Sequence, residues 1–260
     1  MMNTETQRPA IFLQRRGLTL IEVLIVISVI AVLVGILIPA LSDSRRAGRK
    51  VACLSGLRQL GVAASAYALD HDGSLPYGPK APPPSATNFY PVTGNVTSLL
   101  SLESGAPVGL GLLLERYLAD TKAVLFCPDA DQVQDSGAAL AAVGVSQVEG
   151  SYYYRHASVV SLSGPLPPPR MNIDKLGKNR NGAAIECLAM DTQFLAPPMM
   201  AAFNIRPRTH HQQRLVNALF RDGHASSHPN TDGRYTTDIA ISVYDTLDRI
   251  LEIFESLDAQ

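Results

Sequence analysis

The longest hydrophobic pattern in the chain is an apolar run that follows two arginines and ends near residue 41. Residues 23–41 contain no charged side chain, and one carboxylate, Glu22, lies just before them. A helix of about 20 residues is long enough to cross about 30 Å of hydrocarbon. The pattern therefore predicts a helix of membrane length over residues 18–41, and it leaves the role of Glu22 to be explained.

The apolar positions change to a helical period after this run. They lie three or four residues apart, with arginines and a lysine between them, at Leu41, Ala47, Val51, Leu54, Leu57, Gly61, Ala64 and Ala68. Such a stripe is typical of a helix that packs one face against a domain. We therefore predict that the helix continues through residues 42–70 and that its small side chains permit close approach to a sheet.

Short apolar runs alternate with proline- and glycine-rich loops in residues 71–260. They predict one short helix and three strands, in chain order 109–120, 123–131, 151–155 and 183–191. Apolar alternation around Asp222-Gly223 favours a hairpin with a type I′ turn. Helical spacing from Ile239 to Leu257 predicts a C-terminal amphipathic helix. The predicted class is α+β, with one long N-terminal helix packed on an antiparallel sheet.

Composition and motifs exclude several classes of function. The net charge of −1 does not indicate a nucleic-acid partner. The three cysteines form no CxxC pair, which does not favour a structural zinc site built on thiolates. Nucleophile elbows, P-loops, HExxH motifs and dinucleotide-binding glycine patterns are absent. The sequence therefore predicts no enzyme and no cofactor.

Glu22 distinguishes three interpretations of the apolar run. A secretory signal has a shorter apolar region, of about 7–15 residues. A plain signal anchor fits the length but gives Glu22 no role unless this residue lies at the headgroup level. In the third interpretation, cleavage between Gly17 and Leu18 makes Glu22 the fifth residue of the mature chain. The amine of a neighbouring subunit could then pair with its carboxylate, whose burial in a bilayer otherwise costs about 2.5–3.5 kcal/mol.

The stretch RRGLTLIEVLIVISVIAVLVGILIPAL resembles the leader and N-terminal helix of type IV prepilins and type II secretion pseudopilins. The resemblance implies a basic leader, residues 1–17, that prepilin peptidase removes after Gly17. It also implies N-methylation of Leu18, a role for Glu22 in assembly, and a helix kink at Pro39.

Later segments are similar to prepilin-like proteins that carry a His-x9-Asp-Gly element. These segments are CLSGLRQLG, YALDHDGSLP, LFCPDAD, SYYYR and HHQQRLVNALFRDGHAS. Ten residues separate His211 from Asp222 here, one more than that pattern has. The resemblance suggests a disulfide between Cys53 and Cys127 in an oxidising periplasm, with two buried free thiols as the alternative.

Histidines near the predicted hairpin offer a further alternative. His211, His224 and His228 could converge on a metal, and residues 222–238 resemble the oxygen-rich calcium loop of major pseudopilins. An ordinary polar loop explains the same residues, so no metal site is assigned.

The resemblance as a whole implies a structural subunit of a type II secretion pseudopilus or type IV pilus. It implies a single-pass protein of the bacterial inner membrane, with its C-terminal domain in the periplasm or in a filament. Its partners would be prepilin peptidase and other pilin or pseudopilin subunits, in a homo- or hetero-oligomer through the N-terminal helix. The alternative is a signal-anchored periplasmic domain that binds a ligand or metal through residues 210–238 and never polymerises.

Overall fold

A computed structural model of the chain describes residues 19–77, 96–156, 171–203, 205–240 and 243–260. The chain divides into two compact units, Met1–Arg45 and Arg46–Gln260. Helix α1 (Leu20–Asp70) contributes residues to both units and includes Pro39. Gly17 and Leu18 lie outside the described residues.

The part of α1 in the first unit is apolar and exposed. An 18-residue window of this helix has a mean hydropathy of 3.1, and none of that window is buried within the chain. By length and composition, α1 is therefore able to cross a membrane. The hydroxyl of Ser28 donates to the carbonyl of Leu24 at 2.7 Å, so it needs no partner from outside the helix.

The described residues of the second unit form seven strands: β1 (Val96–Ser101), β2 (Val148–Arg155), β3 (Cys187–Asp191), β4 (Phe194–Leu195), β5 (Leu215–Phe220), β6 (Ala225–Pro229) and β7 (Thr237–Asp238). Five of them form an antiparallel sheet in the order β1-β2-β3-β5-β6, and β4 pairs with β7 in parallel. This unit also contains the α-helices α2 (Ser136–Ala142) and α3 (Val243–Asp258) and several short 3-10 helices. The predicted α+β class, with a long helix followed by an antiparallel sheet, is confirmed.

Apolar side chains cover both faces of the five-stranded sheet. Successive residues of a strand face opposite sides, and the tyrosines of β2 divide accordingly. Tyr152 and Tyr154 pack in the same cluster as Leu57 of α1, whereas Tyr153 packs with Phe254 of α3. The second half of α1 and the C-terminal helix α3 therefore bury opposite faces of one sheet.

A missing side chain permits the close approach of α1 to the sheet. A Cβ atom at Gly61 would lie only 3.0 Å from Cδ1 of Leu219 on β5. The predicted stripe is confirmed at Leu57 and Ala64, which are buried, but it is wrong at Val51, which is 62% exposed. The buried face of α1 instead includes Cys53, which is not part of the predicted stripe.

Three local predictions are wrong. Residues 123–131 form no strand: a 3-10 helix spans Ala119–Leu125, and irregular backbone follows it. The predicted helix at 109–120 is reduced to a 3-10 helix, Gly109–Leu113. In the hairpin loop, Gly223 has a positive φ of +84° but Asp222 does not, whereas a type I′ turn needs it at both. The loop instead contains one extra residue, with the N–H of Phe220 donating to the carbonyl of His224 at 2.9 Å.

A buried ion pair fixes the end of α3. The carboxylate of Asp258 accepts from Nη1 of Arg155 at 2.9 Å and from Nδ2 of Asn179 at 3.0 Å. It also accepts the backbone N–H groups of Glu186 and Cys187 at 3.0 and 2.9 Å. The two charged side chains are 3% and 0% exposed, and these hydrogen bonds offset the cost of removing them from water.

Candidate functional site

The first turn of α1 contains Glu22, the first predicted site residue that the structure describes. Its Oε2 accepts the backbone N–H of Thr19 at 2.8 Å and the hydroxyl of Thr19 at 2.9 Å. In return, the N–H of Glu22 donates to Oγ1 of Thr19 at 3.3 Å. These reciprocal bonds are a capping box, which satisfies backbone donors that the first turn otherwise leaves unpaired. The Thr-x-x-Glu spacing signals this cap in the sequence, but our prediction missed it.

One oxygen of the Glu22 carboxylate is available to a further hydrogen-bond donor. Both contacts from Thr19 end on Oε2, and within the described part of the chain Oε1 accepts no hydrogen bond. Glu22 itself is exposed. The carboxylate can therefore keep its cap while it accepts a further donor, such as an amine.

A second group of functional side chains lies inside the second unit. It consists of Cys53 on α1, Cys127 after the Ala119–Leu125 helix, Asp191 at the end of β3 and His211 in the turn before β5. All four are buried, and their ligand atoms lie within 4.8 Å of one another. A disulfide bond joins Cys53 to Cys127, with the Cα atoms 5.4 Å apart.

His211 lies between two carboxylates. Its Nδ1 is 2.9 Å from Oδ2 of Asp129, and its Nε2 is 3.2 Å from Oδ2 of Asp191. Burial alone would lower the pKa of His211, but the hydrogen bonds and negative charges of Asp191 and Asp129 outweigh it and raise the pKa. Nε2 also lies 3.4 Å from Sγ of Cys127, so the imidazole connects the carboxylates to the disulfide.

The backbone that positions His211 is strained. His211, Gln212 and Gln213 have φ values of +55°, +53° and +58°, in the left-handed region that costs about 1–2 kcal/mol for each residue with a Cβ. The N–H of His211 donates to the carbonyl of Asp129 at 2.9 Å, and that of Gln212 to Oδ1 of Asp131 at 2.7 Å. Strained backbone of this kind is common at functional sites. Here it directs the His211 ring into the core.

The three histidines considered for a metal do not converge. His224 is exposed, pairs with Asp222 and stacks on Phe220, with ring centroids 4.4 Å apart. His228 contacts the hydroxyl of Ser226 at 2.8 Å. Within the described residues, one group of three or more His, Cys, Asp or Glu side chains is close enough for a metal ion, and it contains His211 alone of the three. The hypothesis of a three-histidine site is therefore wrong.

Comparison with known proteins gives a match, and it lies in the first unit. Residues 13–38 match the family model described as the prokaryotic N-terminal methylation motif. The chain carries this N-terminal methylation motif. The matched segment includes Gly17, Leu18 and Glu22 and is consistent with a type IV prepilin- or pseudopilin-like protein. This motif and the apolar helix α1 together fit a single-pass, membrane-anchored protein. No curated protein and no solved structure matches the chain.

The sequence predicts the buried group only in part. Cys53, Cys127 and His211 are each identified from the sequence, but for separate reasons. Asp191 and Asp129, which complete their surroundings, are not identified. A carboxylate at the end of the apolar strand CLAMD was the available signal for Asp191, because a charge in a buried strand needs a partner.

Proposed function

We propose that the chain is a structural pilin-like subunit. Prepilin peptidase cleaves it between Gly17 and Leu18 and methylates the new N-terminus on Leu18. The mature chain then assembles through α1 into a type II secretion pseudopilus or a type IV pilus, and it is not an enzyme. The observation that supports this most directly is the exposed apolar part of α1, most of which lies within the methylation motif.

The exposed apolar surface provides the driving force for assembly. Exposed fractions of the large apolar side chains in the first unit extend from 44% at Val34 to 85% at Leu20. A continuous apolar surface of this kind needs either lipid or other apolar helices around it. Lipid covers it before assembly, and the helices of neighbouring subunits cover it afterwards.

Glu22 sets the register of that packing. After cleavage, the amine of Leu18 lies one residue before the cap at Thr19. In the assembled state, Oε1 of Glu22 accepts the Leu18 amine of a neighbouring subunit while Oε2 keeps its bonds to Thr19. Before assembly, the cap lessens the cost of placing a carboxylate at the membrane boundary. A subunit in the wrong register leaves both charges without their partner.

The same proposal defines the location and the domains. Residues 1–17 are the leader, 18–41 the membrane and assembly helix, 42–70 its amphipathic continuation, and 71–260 the globular domain. The protein is inserted in the bacterial inner membrane, with the globular domain in the periplasm or in the filament. Its partners are prepilin peptidase and other pilin or pseudopilin subunits. The disulfide between Cys53 and Cys127 suits an oxidising compartment.

Processing is tested by the intact mass of the protein purified from the membrane fraction. We expect the wild-type chain to begin at a methylated Leu18 and Gly17→Ala to retain residues 1–17. Gly35→Ala is the matched control, because a Cβ there has nothing within 4 Å, and we expect it to be processed normally. A wild-type chain that keeps its leader would contradict the proposal and support the signal-anchored alternative.

Assembly is tested separately with Glu22→Gln and Glu22→Ala. Both remove the charge, and Gln keeps an acceptor for the cap, so both variants should enter the membrane but fail to form filaments. Thr19→Val removes the hydroxyl of the cap and keeps Glu22 ionised, so it should still assemble. Normal filaments in Glu22→Gln would show that charge pairing does not set the register.

A further inference from the structure

The carboxylate of Asp191 has an unsatisfied oxygen in the core of the second unit. Asp191 is 0% exposed, and its Oδ2 accepts the N–H of Asn217 at 2.8 Å. The contact of its Oδ1 among the described residues is Sγ of Cys53, at 3.9 Å. A disulfide sulfur has no hydrogen to donate, so when the disulfide is formed Oδ1 lacks a donor among the residues that the structure describes. Nε2 of His211 lies 3.2 Å from Oδ2, so the imidazole faces that oxygen and not Oδ1. A buried carboxylate oxygen without a donor is costly.

We propose that Cys53, Cys127, Asp191 and His211 form a zinc site when the two cysteines are in the dithiol state. Two thiolates, one imidazole nitrogen and one carboxylate oxygen supply the four ligands of a tetrahedral zinc ion. Each thiol releases its proton as the metal binds, and a protonated His211 likewise releases the proton on Nε2. No electron transfer is involved. Thiolate and imidazole ligands favour zinc over calcium, which prefers oxygen ligands alone.

The distances between the ligand atoms fit such an ion. With zinc–ligand bonds of about 2.0–2.3 Å, neighbouring ligand atoms of a tetrahedral site lie about 3.3–3.8 Å apart. Nε2 of His211 is 3.2 Å from Oδ2 of Asp191 and 3.4 Å from Sγ of Cys127, and Sγ of Cys53 is 3.9 Å from Oδ1 of Asp191. The two distances from Nε2 of His211 are thus near the required spacing, whereas the contact of Cys53 is with the other oxygen of Asp191. All four ligand atoms lie within 4.8 Å of one another, so the sulfur atoms must separate and the Asp191 carboxylate must turn slightly when the disulfide bond is absent.

Asp129 supplies the support that a zinc-binding histidine usually has. It contacts Nδ1 of His211 at 2.9 Å, which leaves Nε2 directed at Asp191, Cys127 and the side-chain amide of Asn217. The amide nitrogen of Asn217 lies 2.8 Å from Nε2, so a zinc ion would replace this contact. A carboxylate on the far nitrogen fixes the tautomer and the orientation of a metal-binding imidazole. Arg49 lies 3.1 Å from the same carboxylate and helps to position it.

The site explains why charged groups converge on these sulfurs. A disulfide alone needs neither a buried carboxylate nor an imidazole between two carboxylates. A zinc ion supplies positive charge between Asp191 and His211 and links α1 to β3 within the second unit. The sequence has no CxxC pair and therefore did not predict a zinc site with thiolate ligands. The fold supplies such a pair by bringing together Cys53 and Cys127, which are 74 residues apart. This inference does not depend on cleavage or filament assembly.

The test uses the full chain in detergent, reduced with a phosphine under anaerobic conditions and then desalted. Zinc content is measured after dialysis, and cobalt is added in parallel to detect thiolate-to-cobalt charge-transfer absorption. We expect the reduced chain to retain a single zinc ion and the disulfide form to retain none. A reduced chain that is folded by circular dichroism and takes up no zinc would overturn the proposal.

Matched variants show whether these residues bind the metal. Asp129→Asn keeps the shape of a partly exposed side chain, and we expect it to weaken zinc binding by about 10–100-fold. Asp222→Asn alters the exposed contact between Asp222 and His224 and should leave zinc affinity unchanged. Cys53→Ser should abolish binding, whereas Cys187→Ser, at a buried free thiol outside the group, should not. Wild-type affinity in both Asp129→Asn and Cys53→Ser would refute the site.

Discussion

The two halves of α1 contain the same kinds of residues in opposite surroundings. In the first unit, Leu24, Leu33 and Leu37 are 53%, 55% and 62% exposed, whereas in the second unit Leu57 and Leu60 are 0% exposed. Both halves satisfy their backbone through the same helical hydrogen bonds. The difference shows that the helix is a local property of this sequence, while its role in each unit depends on what the side chains contact.

The distribution of charge accounts for this difference. Residues 23–41 have no charged side chain on any face, which suits a helix surrounded by apolar material. The second half places charged residues such as Arg58 on its exposed side and small or apolar residues on its buried side. The amphipathic half can therefore pack on a sheet in water. The uniformly apolar half is not stable in water unless lipid or other apolar helices surround it.

The largest effect should come from removing a leucine from the buried half. Leu57→Ala leaves a cavity between α1 and the sheet and should lower the free energy of unfolding of the second unit by about 2–5 kcal/mol. Leu33→Ala is the control and should leave that free energy unchanged. The measurement is urea unfolding in detergent, followed by circular dichroism. Equal losses in both variants would show that the two halves do not differ in this way.

The next effect concerns the apolar half in the membrane. Val29→Lys places a charge in the middle of the apolar segment and should make insertion less favourable by about 2.5–3.5 kcal/mol. Val62→Lys, at a position that is 71% exposed in the second unit, should have almost no effect on insertion. The measurement is the membrane-bound fraction of newly made protein. Normal insertion of Val29→Lys would contradict a membrane role for this segment.

The sequence was sufficient for features that depend on local periodicity. The continuation of the helix to residue 70, the strands around 151–155 and 183–191 and the 214–228 hairpin all follow from spacing and turn residues. The prediction of a strand at 123–131 is wrong because Phe126 and Cys127 are buried in the apolar cluster that contains Leu57 of α1, and not by pairing with another strand. Apolar content alone does not distinguish these two kinds of burial.

The buried group around Cys53 could not be predicted from spacing. Its residues come from α1, a loop, the end of β3 and a strained turn, and Cys53 and Asp191 are 138 residues apart. Tertiary packing alone brings them together. The cap at Thr19 is different, because its Thr-x-x-Glu pattern is local. The hydrophobic pattern does not reveal this cap, because it depends on the polar pair Thr19 and Glu22 and not on the spacing of apolar residues.

The smallest effect should come from glycines, which measure how closely each part of α1 is packed. Gly61→Ala gains about 1 kcal/mol of helix propensity but forces a methyl group to 3.0 Å from Leu219, and such overpacking costs about 1–3 kcal/mol. We expect the second unit to lose about 1 kcal/mol in free energy of unfolding.

Two other glycines in α1 provide the controls, because a Cβ at either has nothing within 4 Å. Gly48→Ala, in the second unit, should stabilise that unit by up to about 1 kcal/mol through helix propensity alone. Gly35→Ala, in the first unit, should not change the free energy of unfolding of the second unit. If Gly61→Ala instead proved as stabilising as Gly48→Ala, Leu219 would have moved aside at little cost. The close approach of α1 to β5 would then not depend on the missing side chain at Gly61.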